Sequence, residues 1–325
     1  MERSHVESAV KWLLHSEEPA VRYLTRRDVL RDKPPYDPDD ILAGPKVRGL
    51  LSGQLSDGSF GVHPYRKWTG AHWRLVSLVE LEVPREHPPA VAAAETVLDW
   101  LCSPGHRRHI RSVKGLVRRC ASQEGNALAV CCRLGMAQDD RARTLAESLM
   151  DWQWPDGGWN CDAAATGRRS SFHESLAPAW GLHEYWLATS DRDARAAAAR
   201  AAELFLGHRL FRSLERGTVI DKRWLALRYP PYWHYGILQA LLVLSRMWWV
   251  TDERAADALA IVEDKRRDDG TWGPEGYWWR PPGKPGYMQE AVDWGRSGPN
   301  EMITLNALRV LAAAGRVPFS PGDPD

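Results

Sequence analysis

Residues 151–184 read DWQWPDGGWNCDAAATGRRSSFHESLAPAWGLHE, and this stretch decides the fold of the chain. It joins the end of one amphipathic helix to the start of another through the turn QWPDGGW at residues 153–159. Residues 54–60 (QLSDGSF) and 266–272 (RRDDGTW) follow the same pattern of Gln or Arg, then Asp-Gly, then an aromatic residue. A glycine after Asp accepts a left-handed turn at a helix end, and the aromatic side chain folds back over that end. The recurrence predicts a helical repeat.

The hydrophobic pattern on either side of these turns predicts five helix pairs. The first helices, at residues 45–55, 88–102, 139–152, 193–207 and 253–267, each carry one apolar stripe. The second helices, at 69–81, 122–134, 171–187, 232–248 and 300–314, are apolar over most of their circumference. Amphipathic helices belong on the outside of a fold and all-round apolar helices on the inside. With an N-terminal pair at 5–15 and 19–31, the sequence predicts an all-α fold, an (α/α)6 toroid of inner and outer helices.

We expect one domain over residues 1–325. It comprises the N-terminal pair and a connector (1–44), the five helix pairs (45–315) and a tail (316–325).

The turns QWPDGGW and RDDGTWG resemble the QW repeats of squalene–hopene cyclases and the related turns of protein prenyltransferase β subunits. These proteins form the terpenoid cyclase/prenyltransferase toroid superfamily, and the resemblance covers most of residues 45–315. It implies a single toroid and an enzyme that acts on an apolar, isoprenoid-like small molecule in the central cavity. Asp37, Asp39 and Asp40 match the letters of the D-x-D-D acid motif of the cyclases. They lie in a Pro-rich connector, so we interpret them as a helix cap instead.

Composition excludes several classes of function. The net charge is +1 and the 43 basic residues are spread along the chain, which argues against nucleic-acid binding. The longest apolar stretch, 235–250, contains Gln239 and Arg246 and is too short to span a membrane. The five cysteines are odd in number and two are adjacent, so we expect reduced thiols and a cytoplasmic protein. The 17 tryptophans indicate structural stacking, an aromatic-lined cavity, or both.

In a toroid the inner helices run parallel, so their first residues gather at one mouth of the central cavity. A histidine near a helix start is most often structural, yet three inner helices begin with one in a similar setting: GAHWRL, SFHESL and YWHYGI. Imidazole titrates near neutrality and is a common metal ligand. We therefore predict a rim of residues for acid–base catalysis, consisting of His72, Glu124, His173, His234 and Glu301.

Zinc enters through the resemblance. Protein prenyltransferases bind zinc through an Asp-x-Cys pair and a later histidine, which His234 resembles in context. Here the pair is reversed, as Cys161-Asp162, and lies in a turn before the inner helix. Cys161, His173 and His234 form the implied ligand set, and Cys161 as an ordinary loop residue is the alternative.

Aromatic residues near the inner helices are expected to line the cavity, since aromatic faces stabilise cationic centres. The predicted substrate-binding residues are Trp73, Asn126, Trp180, Trp233 and Tyr235. Trp278 and Trp279 lie in a long loop that is a candidate lid. Basic residues beside the mouth are candidates to hold a diphosphate: Arg168, Arg169, Arg228 and Arg280.

Two other functions remain open at this point. Some α/α toroids are sugar-processing hydrolases or lyases, for which we expect an open polar groove with two facing carboxylates. A non-catalytic ligand-binding toroid is the other. Prenyltransferase β subunits work with a helical partner, but the sequence identifies no partner subunit here.

Overall fold

The computed structural model describes residues 3–280 and 283–317, and these are mostly helical, as predicted. The predicted tail extends beyond them, and its residues 318–325 lie outside the described part of the chain. The α-helices of the described residues are α1 Arg3–Leu14, α2 Pro19–Leu24, α3 Pro38–Ala43, α4 Pro45–Leu51, α5 Ala71–Glu80, α6 Pro88–Cys102, α7 Pro104–Arg107, α8 Ser122–Arg133, α9 Asp140–Trp152, α10 Phe172–Thr189, α11 Arg192–Gly207, α12 Ile237–Arg246, α13 Ala256–Asp264 and α14 Glu301–Ala313. A π-helical turn at Thr25–Val29 follows α2, and 3-10 turns occupy Lys222–Leu225 and Glu253–Ala255.

Each predicted helix of the repeats has a counterpart, and most are shorter than predicted; α6 has the predicted bounds, and α10 and α11 extend one or two residues beyond them. The largest difference is at the predicted helix 232–248, which begins only at Ile237. Two prolines at 230 and 231 and the extended backbone of Gly236 keep the preceding residues out of the helix. Trp233, His234 and Tyr235 therefore precede α12 instead of lying on it.

A hairpin was not predicted. Strands β1 (Arg111–Val113) and β2 (Leu116–Arg118) pair antiparallel through a two-residue turn, Lys114-Gly115, in which both φ angles are positive. Such a turn matches the twist of the flanking strands. Arg118 also bridges Asn160 in parallel, which ties the hairpin to the loop after α9.

Burial separates two kinds of helix, as the hydrophobic pattern predicted. In α14 every residue from Met302 to Ala312 is buried, whereas α11 buries one face dominated by alanine. The buried helices contact one another in the order α5, α8, α10, α12, α14, and α14 contacts α2 and the π-helical turn. One continuous apolar core includes side chains from all of these α-helices except α7. None of the described helices has the length and apolarity needed to cross a membrane.

Two of the three recurring turns are hydrogen-bonded to the next exposed helix. The Gln153 side-chain amide donates to Gly157 O (2.7 Å) within its turn and to Ala197 O (2.8 Å) on α11. Gln54 does the same toward Gly58 O and Pro89 O. The indoles of Trp159 and Trp272 fold back and donate to carbonyls in the preceding helices α9 and α13. The interpretation of these turns as helix-end staples is thus confirmed.

The glycines of these turns lie against backbone. A β carbon on Gly58 would lie 2.5 Å from Ala92 O on α6, and one on Gly157 would lie 2.4 Å from Arg200 O on α11. One on Gly270 would lie 2.1 Å from His5 O on α1. The last turn therefore packs against the first helix of the chain in the way that the other turns pack against the next exposed helix.

Helices α5 and α12, which are not consecutive in the contact order, meet at both ends. Before their first turns, the rings of Trp68 and Tyr232 stack with centroids 4.2 Å apart. At their last turns, Glu80 and Arg246 form a buried ion pair of 2.8 Å. Asp37 caps α3 by accepting from the N–H groups of Asp39 and Asp40, so its interpretation as a helix cap is confirmed.

Candidate functional site

His173 is the second residue of α10, and its tautomer follows from its contacts. Its Nδ1 lies 2.7 Å from the backbone N–H of Tyr235, which can only donate. Nδ1 must therefore accept, and the ring proton resides on Nε2. Burial, together with the nearby Arg223, lowers the pKa of His173 to about 4, so the ring is neutral at pH 7.

His234 has the opposite tautomer. Its Nδ1 lies 3.2 Å from Pro231 O, an acceptor, so Nδ1 carries the proton and Nε2 has the free lone pair. The ring is sandwiched between Trp233 (centroids 4.0 Å apart) and Trp278 (4.7 Å). Burial lowers the pKa of His234 to about 3. Trp278, one of the two candidate lid residues, thus covers this ring.

His173 and His234 are neighbours, with ring centroids 6.1 Å apart. The pair combines one Nε2–H donor and one Nε2 acceptor in two neutral rings. Such a pair can donate a hydrogen bond to an oxygen and accept a proton, which is the arrangement that acid–base chemistry needs. These are the two members of the predicted rim that come together.

His72 lies elsewhere. Its ring is packed edge-on against Trp73 (centroids 4.6 Å apart) and Tyr65 (5.2 Å). It also borders a small apolar gap that Leu75, Ala94 and Ala127 line. Neither ring nitrogen has a hydrogen-bond partner, and burial lowers its pKa to about 3. The shared position of the three histidines at their helix starts did not predict the direction of this side chain.

The two rim carboxylates are also separate from the histidine pair. Glu124 is 2% exposed, and its Oε1 accepts from Arg119 (2.6 Å) and lies 3.3 Å from His106 Nε2. Burial raises the pKa of Glu124 against the opposing effect of Arg119. Glu301 is the first residue of α14, where its charge acts on Glu18.

The predicted substrate-binding residues do not share one environment. Trp73 joins Trp68, Tyr232 and Trp279 in a buried aromatic cluster, and Trp233 packs against that cluster. The indole N–H groups of Trp68, Trp73 and Trp233 are buried without a hydrogen-bond partner. Trp279, the second candidate lid residue, contacts the rings of Trp68 (centroids 5.5 Å apart) and Tyr232 (4.9 Å).

The other three predicted binding residues are also buried but lie outside this cluster. Trp180 donates its indole N–H to Glu184 (2.9 Å), and Arg246 lies over its ring. Tyr235 is fully buried, and its hydroxyl donates to Leu210 O (2.6 Å). Tyr235 is therefore part of the protein core and not of a binding surface. Asn126 is buried with its side-chain N–H group unpartnered.

A pocket with a volume of about 1000 Å³ lies at the start of α10, and of the two histidines only His173 lines it. Its apolar lining includes Phe172, Leu204, Val219, Ile220 and Trp224, and His173 reaches it as well. Sequence reasoning missed half of this lining because it assigned no structure to residues 207–231. The length of that segment was the available signal.

Arginines lie at the edge of this pocket. Arg168 and Arg216 line it and form no ion pair with any described residue, whereas Arg169 pairs with Glu215. Ser171 precedes α10 without a side-chain cap, and in the first turn the Glu174 N–H donates to Ser171 O (3.1 Å). The other two predicted basic residues are engaged elsewhere: Arg228 lies over the Trp278 ring, and Arg280 donates to Pro285 O.

The implied zinc ligands do not converge as a set. His173 has Nδ1 occupied by a backbone N–H group and a proton on Nε2, which leaves no free lone pair. Cys161 lies instead with Cys120 and Glu174, whose ligand atoms are all within 4.8 Å of one another. The set Cys161, His173 and His234 therefore does not fit a metal ion in this arrangement.

Comparison with known proteins gives no match: no family model fits the sequence, and no curated protein resembles it significantly.

Proposed function

We propose that this protein is an α/α-toroid enzyme of the terpenoid cyclase and prenyltransferase type, acting on an apolar, isoprenoid-like small molecule that carries an anionic head group. The closed ring is supported by the contacts of α14 with α2 and by the packing of the Gly270 turn on α1. Both contacts join the end of the chain to its beginning.

The observation that carries the proposal is the composition of the pocket at the start of α10. A ligand with an apolar chain is matched by Phe172, Leu204 and Trp224, and by Ile220, which is 42% exposed. Burying this exposed apolar surface under a ligand is favourable by about 25 cal/mol per Å².

An anionic head group is matched by the edge of the same pocket. The uncapped N-terminus of α10 carries partial positive charge, and the unpaired Arg168 and Arg216 add two full charges. Arginine binds phosphate oxygens through two parallel hydrogen bonds. A prenyl diphosphate has both required parts.

The histidine pair supplies the chemistry in this proposal. His173 presents its Nε2–H group as a donor that stabilises negative charge developing on a ligand oxygen. The Nε2 lone pair of His234 accepts the proton that a carbocation loses. Both rings stay neutral down to a pH near their lowered pKa values of about 4 and 3, so activity is expected to persist into mildly acidic solution.

A sugar-processing activity is less well supported. It calls for two carboxylates that face each other across an open polar groove. Glu124 and Glu174 are 2% and 6% exposed, and each is bound by neighbouring protein groups. A binding protein without catalysis is the remaining alternative, and the experiment below distinguishes it.

Binding of farnesyl diphosphate, farnesol and inorganic diphosphate, followed by calorimetry, tests the two parts of the pocket separately. Replacing both Arg168 and Arg216 by Ala is expected to weaken the binding of the two diphosphate-containing ligands by about tenfold or more per arginine. The affinity for farnesol should be unchanged. Ile220→Asp is expected to weaken both farnesyl compounds. Arg143→Ala, which removes an exposed arginine paired with Asp140, is the matched control.

Product analysis by mass spectrometry completes the test. Turnover of farnesyl diphosphate by the wild type, reduced in His173→Ala and His234→Ala, is the expected result. Equal turnover in both variants would remove the histidine pair from the mechanism. Binding without any product would assign a binding function, and the absence of binding by all three compounds would overturn the proposal.

A further inference from the structure

Two thiols and one carboxylate meet beside the first turns of α8 and α10. The ligand atoms of Cys120, Cys161 and Glu174 are all within 4.8 Å of one another. Among the residues that the structure describes, no other group of three or more His, Cys, Asp or Glu side chains has its ligand atoms this close together. No other part of the site described above uses Cys120 or Cys161.

Backbone contacts hold the two cysteines side by side. Arg118 bridges Asn160 in parallel, and the Arg119 N–H donates to Asn160 O (3.0 Å). Cys120 and Cys161 follow directly in each strand of this contact. The two thiols thus come from loops that are fixed to each other before any metal binds.

The carboxylate is oriented independently. Glu174 Oε2 accepts from the Ser122 N–H at the start of α8 (3.0 Å), which leaves Oε1 directed toward Cys161 Sγ at 3.6 Å. Glu174 is 6% exposed, so its position is set by the surrounding protein and not by solvent. An outer hydrogen bond of this kind fixes ligand orientation in many metal sites.

We propose that Cys120, Cys161 and Glu174 bind one zinc ion, with a fourth position left to water or to a ligand. Two thiolates suit a borderline-soft ion, and three protein ligands with an open position are typical of catalytic zinc. Cys161 is exposed, which gives the ion a path into the site. The proposal does not depend on the function of the neighbouring pocket, because it concerns metal binding alone.

The electrostatics of the cluster agree with this geometry. Without metal, burial raises the pKa of Glu174, and the Cys161 thiol donates to the carboxylate. Zinc would replace the thiol protons, which pass to solvent, so binding is expected to release protons and to weaken as the pH falls. The contact with the Cys161 thiol lowers the pKa of Cys120, with a smaller contribution from Arg119, and this favours the Cys120 thiolate that zinc requires. The same contact raises the pKa of Cys161, so the Cys161 proton is the one that zinc must displace.

Metal analysis of the full-length protein, purified with reductant, tests the proposal. One zinc per chain is expected, and cobalt(II) substituted for zinc is expected to show the intense near-ultraviolet absorption of thiolate ligation. Cys120→Ser and Cys161→Ser should each weaken zinc binding by more than about 100-fold, since even outer contacts contribute 10- to 100-fold. Glu174→Gln should weaken zinc while keeping the cobalt–thiolate absorption.

Cys102→Ser is the matched control, because Cys102 is a free, partly buried thiol outside the cluster, and it should bind zinc like the wild type. Circular dichroism establishes that each variant is folded, and Cys161→Asp, which restores an anionic ligand, should bind zinc more tightly than Cys161→Ser. Protein that binds no zinc when reduced, or binds it equally in all variants, would overturn the proposal. So would a Cys120–Cys161 disulfide that persists under reducing conditions.

Discussion

At Gly157 the backbone has a φ of 96°, and a β carbon there would lie 2.4 Å from Arg200 O on α11. An L-residue meets both the strain of the left-handed backbone and a backbone atom that cannot move aside. Gly157→Ala is therefore expected to lower the free energy of unfolding by about 2 kcal/mol or more, measured by urea denaturation.

Gly207, the last residue of α11, is the control for this substitution. A β carbon there would meet no atom within 4 Å, and its φ is not positive. Gly207→Ala should leave stability unchanged or raise it by up to about 1 kcal/mol. An equal decrease in the free energy of unfolding for both variants would show that the contact with Arg200 O does not cause the destabilisation by Gly157→Ala.

At the same scale, some residues could be assigned from sequence and others could not. Asp37 was interpreted correctly as a cap because capping depends on residues two or three positions away. The direction of His72 depends on Ala94 and Ala127 in other helices. Cys120 was missed as the neighbour of Cys161 because the two residues are some 40 positions apart in the sequence. The backbone bridge between Arg118 and Asn160 brings them together.

At the scale of elements, the segment between α13 and α14 is held by a titratable contact. Glu290 accepts from Tyr232 OH (2.9 Å) and lies 3.3 Å from Arg296, with Trp279 and Asp293 nearby. Burial raises its pKa from 4.5 to about 7 against the hydrogen bond from Tyr232. The folded state thus holds a proton that the unfolded chain releases above about pH 4.5.

The stability from this protonated carboxyl is fully present below pH 4.5 and is lost as the pH rises through about 7. The loss is at most about 3 kcal/mol, from 1.36 kcal/mol per pH unit of pKa change. Hydrogen exchange in residues 283–300, corrected for intrinsic rates, is expected to be slower at pH 5.5 than at pH 8.5. Glu290→Gln should abolish this difference in exchange between the two pH values, whereas Asp293→Asn should keep it. Identical exchange at both pH values in the wild type would contradict the prediction.

The helices themselves were largely predictable because their apolar periodicity is local. All-round apolar sequence predicted the burial of α14, and a single stripe predicted the half-exposed α11. The hairpin was missed because its strands are three residues each and only one of the six residues, Arg118, is buried. Such short strands carry little periodic signal.

At the scale of the whole molecule, an ion pair joins α5 to α12, although its two residues are 166 positions apart in the sequence. Glu80 and Arg246 pair at 2.8 Å, with side chains 7% and 14% exposed. Arg246 lowers the pKa of Glu80 against the effect of burial, and Arg309 and Arg133 act in the same direction. Because the folded-state pKa is depressed, this contribution is present above about pH 4.5 and is lost as the pH falls through the folded value.

Removing one partner of such a pair leaves the other charge buried without compensation. Glu80→Gln is expected to lower the free energy of unfolding by about 3–5 kcal/mol, measured by urea denaturation at pH 7. Glu203→Gln, which breaks the exposed pair with Arg254, should cost less than about 1 kcal/mol. Joint replacement of Glu80 and Arg246 by Gln should cost less than Glu80→Gln alone, because no unpaired charge remains. If Glu80→Gln unfolds at the same urea concentration as Glu203→Gln, then this ion pair does not contribute to joining α5 and α12.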